Sequence, residues 1–383
     1  MRKSFQVLKN FQTRLIRILK KRGEYFLSDY KNKLIFSLII GILISGITLF
    51  FAFKNVPFNE LLNYIRIIDY RWIFPSFAIL FASYIFRAAR WQIIVSSSHK
   101  INFKSAYHAL MTGFMINCLL PGRAGEIARP LILQKNDKIP FTAGLATVAA
   151  ERVFDVVLLL AFFSAVLANV EIDPGFEIRF NNFILNRETL ESIFTGMIKL
   201  SILLISGIII LSIEKIRNIM KKAVIHFPLL LFFLKEKTKQ KIIIKICQPL
   251  VNILDSIASG FVLLKSPVKI GLCIGLSVLI WLLNAFSFYI FSKGCPGINL
   301  SFIEISAVMI LICIFIALPS VPGFWGLWEA GGVFAMSLFG VLQKDAAGFT
   351  LANHAVQVFP VIILGALSAA ALGVNFIKIS YER

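Results

Sequence analysis

The 383 residues are 58% hydrophobic and 16% charged, with 37 phenylalanines and a mean hydropathy of +0.80. A soluble chain is about half apolar and about a quarter charged, so the composition excludes a soluble fold and leaves an all-α, polytopic membrane helix bundle. The net charge of +20 does not signal nucleic acid, because the basic residues sit mostly in loops beside apolar runs. That is the pattern of cytoplasmic loops and anionic lipid, and no nucleic-acid module accompanies it.

In chain order, the first 33 residues hold ten Lys/Arg against Glu24 and Asp29. Phe5, Leu8, Phe11, Leu15 and Ile18 recur at helical spacing, which predicts a basic amphipathic segment lying on an anionic leaflet or packed on the protein's own loops. Residues 34–376 read as one transmembrane domain and 377–383 as a tail. Leu34–Phe53, Trp72–Val95, Phe141–Val170, Met197–Ile213, Val268–Phe291 and Thr350–Val374 are apolar enough, and close enough to the needed length, to be six full spans. Two further runs are interrupted. Ser105–Leu120 enters a break at Pro121-Gly122 and Ala124–Leu133 leaves it, while Phe302–Leu318 enters a break at Pro322-Gly323 and Trp325–Leu342 leaves it. Both breaks read Pro-Gly-x-x-Gly with a glutamate close behind, Glu126 and Glu329. Proline removes a backbone donor and glycine permits a sharp turn, and at membrane depth such breaks survive only where protein or a water-filled cavity satisfies the backbone.

The positive-inside rule orients the spans. Segment 214–245 has nine Lys/Arg against two acids, and 171–194 has five acids against two arginines. Both termini then lie in the cytoplasm, and 214–266 forms interfacial helices on that side. The first hairpin enters from the cytoplasm and the second from outside, the arrangement of an inverted repeat in a carrier. The alternative is chance recurrence of Pro-Gly in a glycine-rich membrane chain.

Ionisable residues inside spans are costly and face a partner, a cavity or the bundle interior. Five arginines (Arg87, Arg90, Arg123, Arg129, Arg152) stand against four carboxylates (Glu126, Glu151, Asp155, Glu329). Arg152 reaches Asp155 at i, i+3, and Glu151 and Asp155 share a helix face. Two readings stand side by side. The charges pair to hold broken helices together, or some of the arginines bind a phosphate, whose geometry suits a guanidinium and whose charge suits free amides at helix N-termini. Trp325 and Trp328 stack on a head group or mark the membrane interface, with the interface favoured. Asn117 caps or lines the first break, and Asn284 reads as an interhelical hydrogen bond. The five cysteines, 118, 247, 273, 295 and 313, form no CxxC pair and read as packing residues. The four histidines, 99, 108, 226 and 354, are far apart and read as incidental. No Walker A, Asp-x-Asp or HExxH occurs, so no cofactor or metal is expected and the chain is not expected to be an enzyme.

The stretches NCLLPGRAGEIARP at 117–130, ATVAAERVFDVV at 146–157 and LPSVPGFWGLWEAG at 318–331, with the Arg87-Ala-Ala-Arg90-Trp91 run, resemble the lysylphosphatidylglycerol synthase transmembrane-region family. The resemblance covers about residues 30–378. That family includes the flippase half of the multiple peptide resistance factor and proteins once labelled dolichol-phosphate-glucose-synthetase-like. It implies a bundle with re-entrant helices in the cell membrane that moves a phosphate-headed lipid, aminoacylated or linked to a sugar, between leaflets. It places Arg123, Glu126, Arg129, Glu151, Arg152 and Asp155 on the path. The bifunctional members carry a C-terminal aminoacyl-transferring domain, and this chain stops at Arg383, so it is not expected to make lysylphosphatidylglycerol itself. Membrane lipids are the expected partners, with a second copy or a partner enzyme left open. The other readings are an enzyme, or an enzyme's partner, that transfers a group onto a lipid carrier, and an assembly factor acting through the basic cytoplasmic segment.

Overall fold

A computed structural model of the chain describes residues 41–54, 56–120, 122–167, 266–318 and 321–373, and between 167 and 266 the segments 177–180, 183–186, 213–230 and 242–248 with scattered positions. The N-terminal amphipathic segment, the tail, most of Met197–Ile213 and the start of Leu34–Phe53 lie outside the described residues.

The helices are α1 (Gly41–Phe53), α2 (Phe58–Ile67), α3 (Ile73–Val95), α4 (Phe103–Leu119), α5 (Ala124–Asp137), α6 (Phe141–Leu167), α7 (Glu214–Leu230), α8 (Pro267–Ser292), α9 (Phe302–Phe315), α10 (Leu327–Ser337) and α11 (Gln343–Ala371). A small antiparallel hairpin, β1 (Glu177–Phe180) and β2 (Phe183–Asn186), pairs Glu177 with Asn186. The chain is otherwise helical where described. Three helices are long and apolar enough to cross a membrane, α3 with its preceding turn from Tyr70, α8 and α11; α1 and α2, bent by 79°, make a fourth if they count as one span. The sequence reading expected six. At 27 residues α6 is about 40 Å long, but Glu151, Arg152 and Asp155 interrupt its apolar surface.

Local sequence sets the helix ends. Asn102 accepts from the Ser105 amide at 2.7 Å to start α4. Ser301 and Glu304 form a reciprocal capping box at α9, satisfying two otherwise orphaned donors. Pro267 begins α8 at a position where its missing N–H costs nothing.

Both breaks have the same backbone. Gly122 and Arg123 take left-handed φ of 70° and 54°, and Gly323 and Phe324 take 73° and 63°. A side chain there costs of order 1–2 kcal/mol, so two matched non-glycine residues in this conformation mark a shared turn. Each turn folds a helix back on its neighbour. In the first hairpin, Gly113 of α4 and Gly125 of α5 meet so closely that a Cβ on Gly125 would fall 1.8 Å from the Gly113 carbonyl oxygen. In the second, α10 packs on α9, with Gly331 against Phe315.

The packing repeats as well. The order span, two hairpin helices, span occurs as α3–α6 and again as α8–α11. Exchanging the halves maps each contact onto another: α4 on α5 corresponds to α9 on α10, α5 on α6 to α10 on α11, α4 on α11 to α9 on α6, and α3 on α4 to α8 on α9. The contact on the would-be axis is α3 against α8, closed by Ser76 and Ser287, whose hydroxyls each donate to the other's carbonyl at 2.9 and 3.0 Å. The same order of elements and the same set of helix neighbours therefore occur twice in the fold. The tips of the two hairpins touch: Arg123 Nη2 donates to the Ile316 carbonyl at 3.3 Å, and Gly323 lies against the Cys118 carbonyl.

Candidate functional site

Where the tips meet, a cavity of about 260 Å³ opens, walled by α3, α4, α6, α8, α11 and both breaks. Its charged lining is Arg87, Arg123, Glu126 and Arg152, and its polar lining includes Tyr84, Asn117, Asn284 and Gln357. Leu80, Phe114, Ile316, Phe324, Trp328 and Val361 supply an apolar side.

Behind the charged wall lies a dry ion cluster centred on Glu151, which is fully buried. Its Oε2 accepts from Arg129 Nη2 at 2.5 Å and its Oε1 from Arg90 Nη2 at 3.3 Å. Arg90 also pairs with Asp155 at 2.7 Å and donates to Ser277 Oγ at 2.7 Å. Arg129 lies over the Trp91 ring, 4.0 Å from its centroid, an arrangement that suits a desolvated guanidinium. Arg90, Arg129, Glu151 and Asp155 are each at most 6% exposed. They bring α3, α5 and α6 together through charge, which is tolerable at such depth only because every charge has a partner. For these four residues the pairing reading of the sequence describes the geometry.

The front of the wall is looser. Arg152, a third exposed, reaches Glu151 at 3.4 Å, Asp155 at 3.2 Å and Glu126 at 3.8 Å. Arg123 approaches Glu126 at 3.7 Å and is 42% exposed. Arg87 differs from all four other arginines: among the described residues no carboxylate lies within 4 Å of it, and its guanidinium rests over Trp281, 5.6 Å from the ring centroid. Five guanidiniums thus face three carboxylates, since Glu329, counted with this group in the sequence, is elsewhere.

Glu329 belongs to the second break. Its Oε2 accepts the Gly326 amide at 2.7 Å, capping α10, and its Oε1 lies 2.6 Å from Nδ1 of His354. The other ring nitrogen of His354 donates to the Gly323 carbonyl at 2.7 Å. Trp328 stacks on the imidazole at 4.6 Å and 6°, and Trp325 covers it at 4.4 Å. Both tryptophans are therefore imidazole partners, not membrane-interface markers alone, and His354, expected to be incidental, is the centre of this break. No sequence spacing announces the trio, because Gly323, Glu329 and His354 are separated by a turn, a helix and a loop. A faint signal was present in Asn353, His354 and Gln357, polar residues clustered inside an apolar span.

The expectation of free amides at the helix starts is also corrected. The Gly125 amide donates to Asn117 Oδ1 at 2.7 Å, that of Glu126 to the Arg123 carbonyl at 2.9 Å, and that of Gly326 to Glu329. The protein fills these donors with its own acceptors, and the cationic groups that face the cavity are Arg87, Arg123 and Arg152. Asn117 caps the first break and lines the cavity, and Asn284 makes the expected interhelical hydrogen bond, accepting from Ser83 at 3.3 Å, and also lines the cavity. Among the described residues no three His, Cys, Asp or Glu side chains gather in a way that could hold a metal ion.

The family described as Lysylphosphatidylglycerol synthase TM region matches residues 38–365, a range that contains both breaks, the ion cluster and the cavity. The chain belongs to this family. It is a membrane-embedded protein of that family, and it is also similar to a UPF0104 membrane protein of Methanocaldococcus jannaschii, 31% identical over 93 residues. That similarity covers 24% of this chain and 27% of the relative, so the chain spans about a quarter of the relative's length. No solved structure matches this chain.

Proposed function

We propose that this protein carries a lipid with a phosphate-bearing head between the leaflets of the cell membrane, the head passing through the cavity between the two breaks. The observation that carries the reading is Arg87, a guanidinium in the cavity wall with no carboxylate of the described residues within 4 Å, beside Arg123 and Arg152, whose pairings are long and partly exposed. An arginine kept at membrane depth with no carboxylate in direct contact is costly, and an incoming phosphate relieves that cost with charge-assisted, bidentate hydrogen bonds. At about 260 Å³ the cavity is at the small end of ligand sites, which suits a head group whose acyl or prenyl tails stay among the apolar helix faces.

The internal repeat supports the carrier reading, since repeats with broken helices at their interface are a recurring architecture of transporters. In the orientation that the loop charges favour, both termini are cytoplasmic, the first hairpin enters from the cytoplasm and the second from outside. The reading takes the chain as a carrier and not as a group-transfer enzyme; turnover of an activated donor by the purified protein would replace it.

The test is reconstitution into vesicles with a trace of tail-labelled phosphatidylglycerol and, in parallel, a labelled polyprenyl phosphate, followed by a membrane-impermeant quencher. The native protein is expected to expose inner-leaflet label to the quencher. Arg87→Gln is expected to slow this by about ten- to a hundredfold, the worth of one charge-assisted contact, while remaining folded. No movement of either lipid, or equal rates for Arg87→Gln, overturns the proposal.

A further inference from the structure

Both nitrogens of His354 face acceptors. The Gly323 carbonyl can only accept, so Nε2 carries a hydrogen. The 2.6 Å contact between Nδ1 and Glu329 Oε1 requires one more, on the imidazole as an ion pair or on the carboxyl as a neutral pair. Either way the two side chains hold one proton beyond what a free carboxylate and a neutral imidazole would have, and together they are neutral. Both are fully buried.

We propose that Glu329 and His354 form a proton-binding site, filled in this structure, whose emptying reshapes the second break. Removing the proton makes the pair a single negative charge in a dry site and sets two lone pairs against each other, either at Nδ1 and Oε1 or, after a tautomer change, at Nε2 and the Gly323 oxygen. Both arrangements lose one of the hydrogen bonds that hold the break, and a buried acceptor left facing another acceptor is strongly unfavourable. The departing proton goes to solvent water by way of the cavity: Trp328, which lies flat on the imidazole, is part of the cavity wall, and Trp325, tilted against the same ring, is 37% exposed. Unloading therefore moves Gly323 and the cap of α10, whose neighbours Phe324 and Trp328 line the same cavity.

The titratable surroundings are few. On elements packed against α11, Tyr84 and Arg87 of α3 and Cys118 of α4 line that cavity, as do Arg123, Glu126 and Arg152 from the first break and α6. Tyr64 of α2 lies against Gly348, and α8 presents the neutral Asn284 to the cavity. His108 sits ten residues before Cys118 on α4, about 15 Å along the helix. Among the described residues no Lys or Arg lies within 4 Å of Glu329, so His354 is its counter-ion when charged.

The proton site stands on the geometry of the pair; only its link to lipid movement rests on the proposed function. The experiment reads tryptophan emission of the detergent-purified full chain from about pH 4 to pH 9, the range in which an imidazole exchanges its proton. Trp325 and Trp328 report directly on the ring that both contact. The native protein is expected to show a one-proton transition that His354→Gln loses and His108→Gln keeps. Glu329→Gln, whose amide can donate to Nδ1 while its oxygen still accepts from Gly326, preserves the hydrogen bonds of the loaded state and is expected to fold and to shift the midpoint. A flat native profile, or a transition unchanged in His354→Gln, overturns the site. In the vesicle assay the native rate is expected to vary with pH across the same transition and the Glu329→Gln rate to follow its shifted midpoint. Movement that ignores pH while the emission still titrates overturns the link to lipid alone, and absence of movement at every pH counts against the carrier reading, not against the proton site.

Discussion

At the first break the left-handed turn of Gly122 and Arg123 carries charge: Glu126 reaches out to Arg123 and Arg152, and Arg129 a turn later enters a cluster with Glu151, Arg90 and Asp155. At the second, the same turn at Gly323 and Phe324 carries rings, and Glu329 turns inward to cap its own helix and hold His354. One backbone, used twice, has been given a charged, cavity-facing version and a closed version packed around an imidazole. The lesson is that a repeat constrains where the chain turns and packs, while the side chains at the turn remain free to divide labour.

Removing Glu151 is expected to break that division most severely. It accepts from arginines on three helices, and Glu151→Ala leaves the buried Arg129 guanidinium without its carboxylate, an effect of about 3–5 kcal/mol, read as a large fall in the thermal unfolding temperature in detergent. Gly125→Ala comes next: its Cβ meets backbone on α4, not a side chain that can swing away, and overpacking of this kind costs about 1–3 kcal/mol. Glu329→Ala removes the cap and the imidazole contact of the second break and is expected to cost about 1–3 kcal/mol, without the arginine mismatch that Glu151→Ala creates. Arg87→Gln loses only its stacking on Trp281, about 0.5–1 kcal/mol, and so separates stability from transport. Arg123→Ala, on an exposed and long ion contact, is expected to change stability least, by less than about 1 kcal/mol. If Arg123→Ala unfolds the protein while Glu151→Ala does not, the assignment of structural and ligand-facing charges is reversed.

The long apolar helices were legible. Trp72–Val95 and Val268–Phe291 match α3 and α8 to within a residue because predominantly apolar runs end at polar caps such as Ser266. The start of α11 was missed by seven residues, since Gln343, Lys344 and Asp345 are polar yet helical, and hydropathy sees only the apolar part of a helix. Within the site, Arg152–Asp155 followed from i, i+3 spacing, and the 3.2 Å contact agrees. Arg90 with Glu151 lies 61 residues apart, and nothing in a single sequence links them. The repeated break was visible as a motif, but the matched φ values and the exchangeable packing needed coordinates, because a backbone conformation leaves only a weak trace in residue type. The role of His354 was invisible for the same reason as Arg90: its partners are brought in by the fold.

The contact between Gly113 and Gly125 also bears on how such a molecule can move. Two helices joined backbone to backbone cannot slide past or tilt against one another without collision, so α4 and α5 behave as a single stiff wedge with its freedom confined to the ends, at the Asn102 cap and at Lys138, where φ is again left-handed at 57°. The second hairpin has a softer seam, because Gly331 faces the side chain of Phe315, which can rotate. The two seams are therefore unequal: the first is closed backbone to backbone, and the second mainly by the Phe315 side chain.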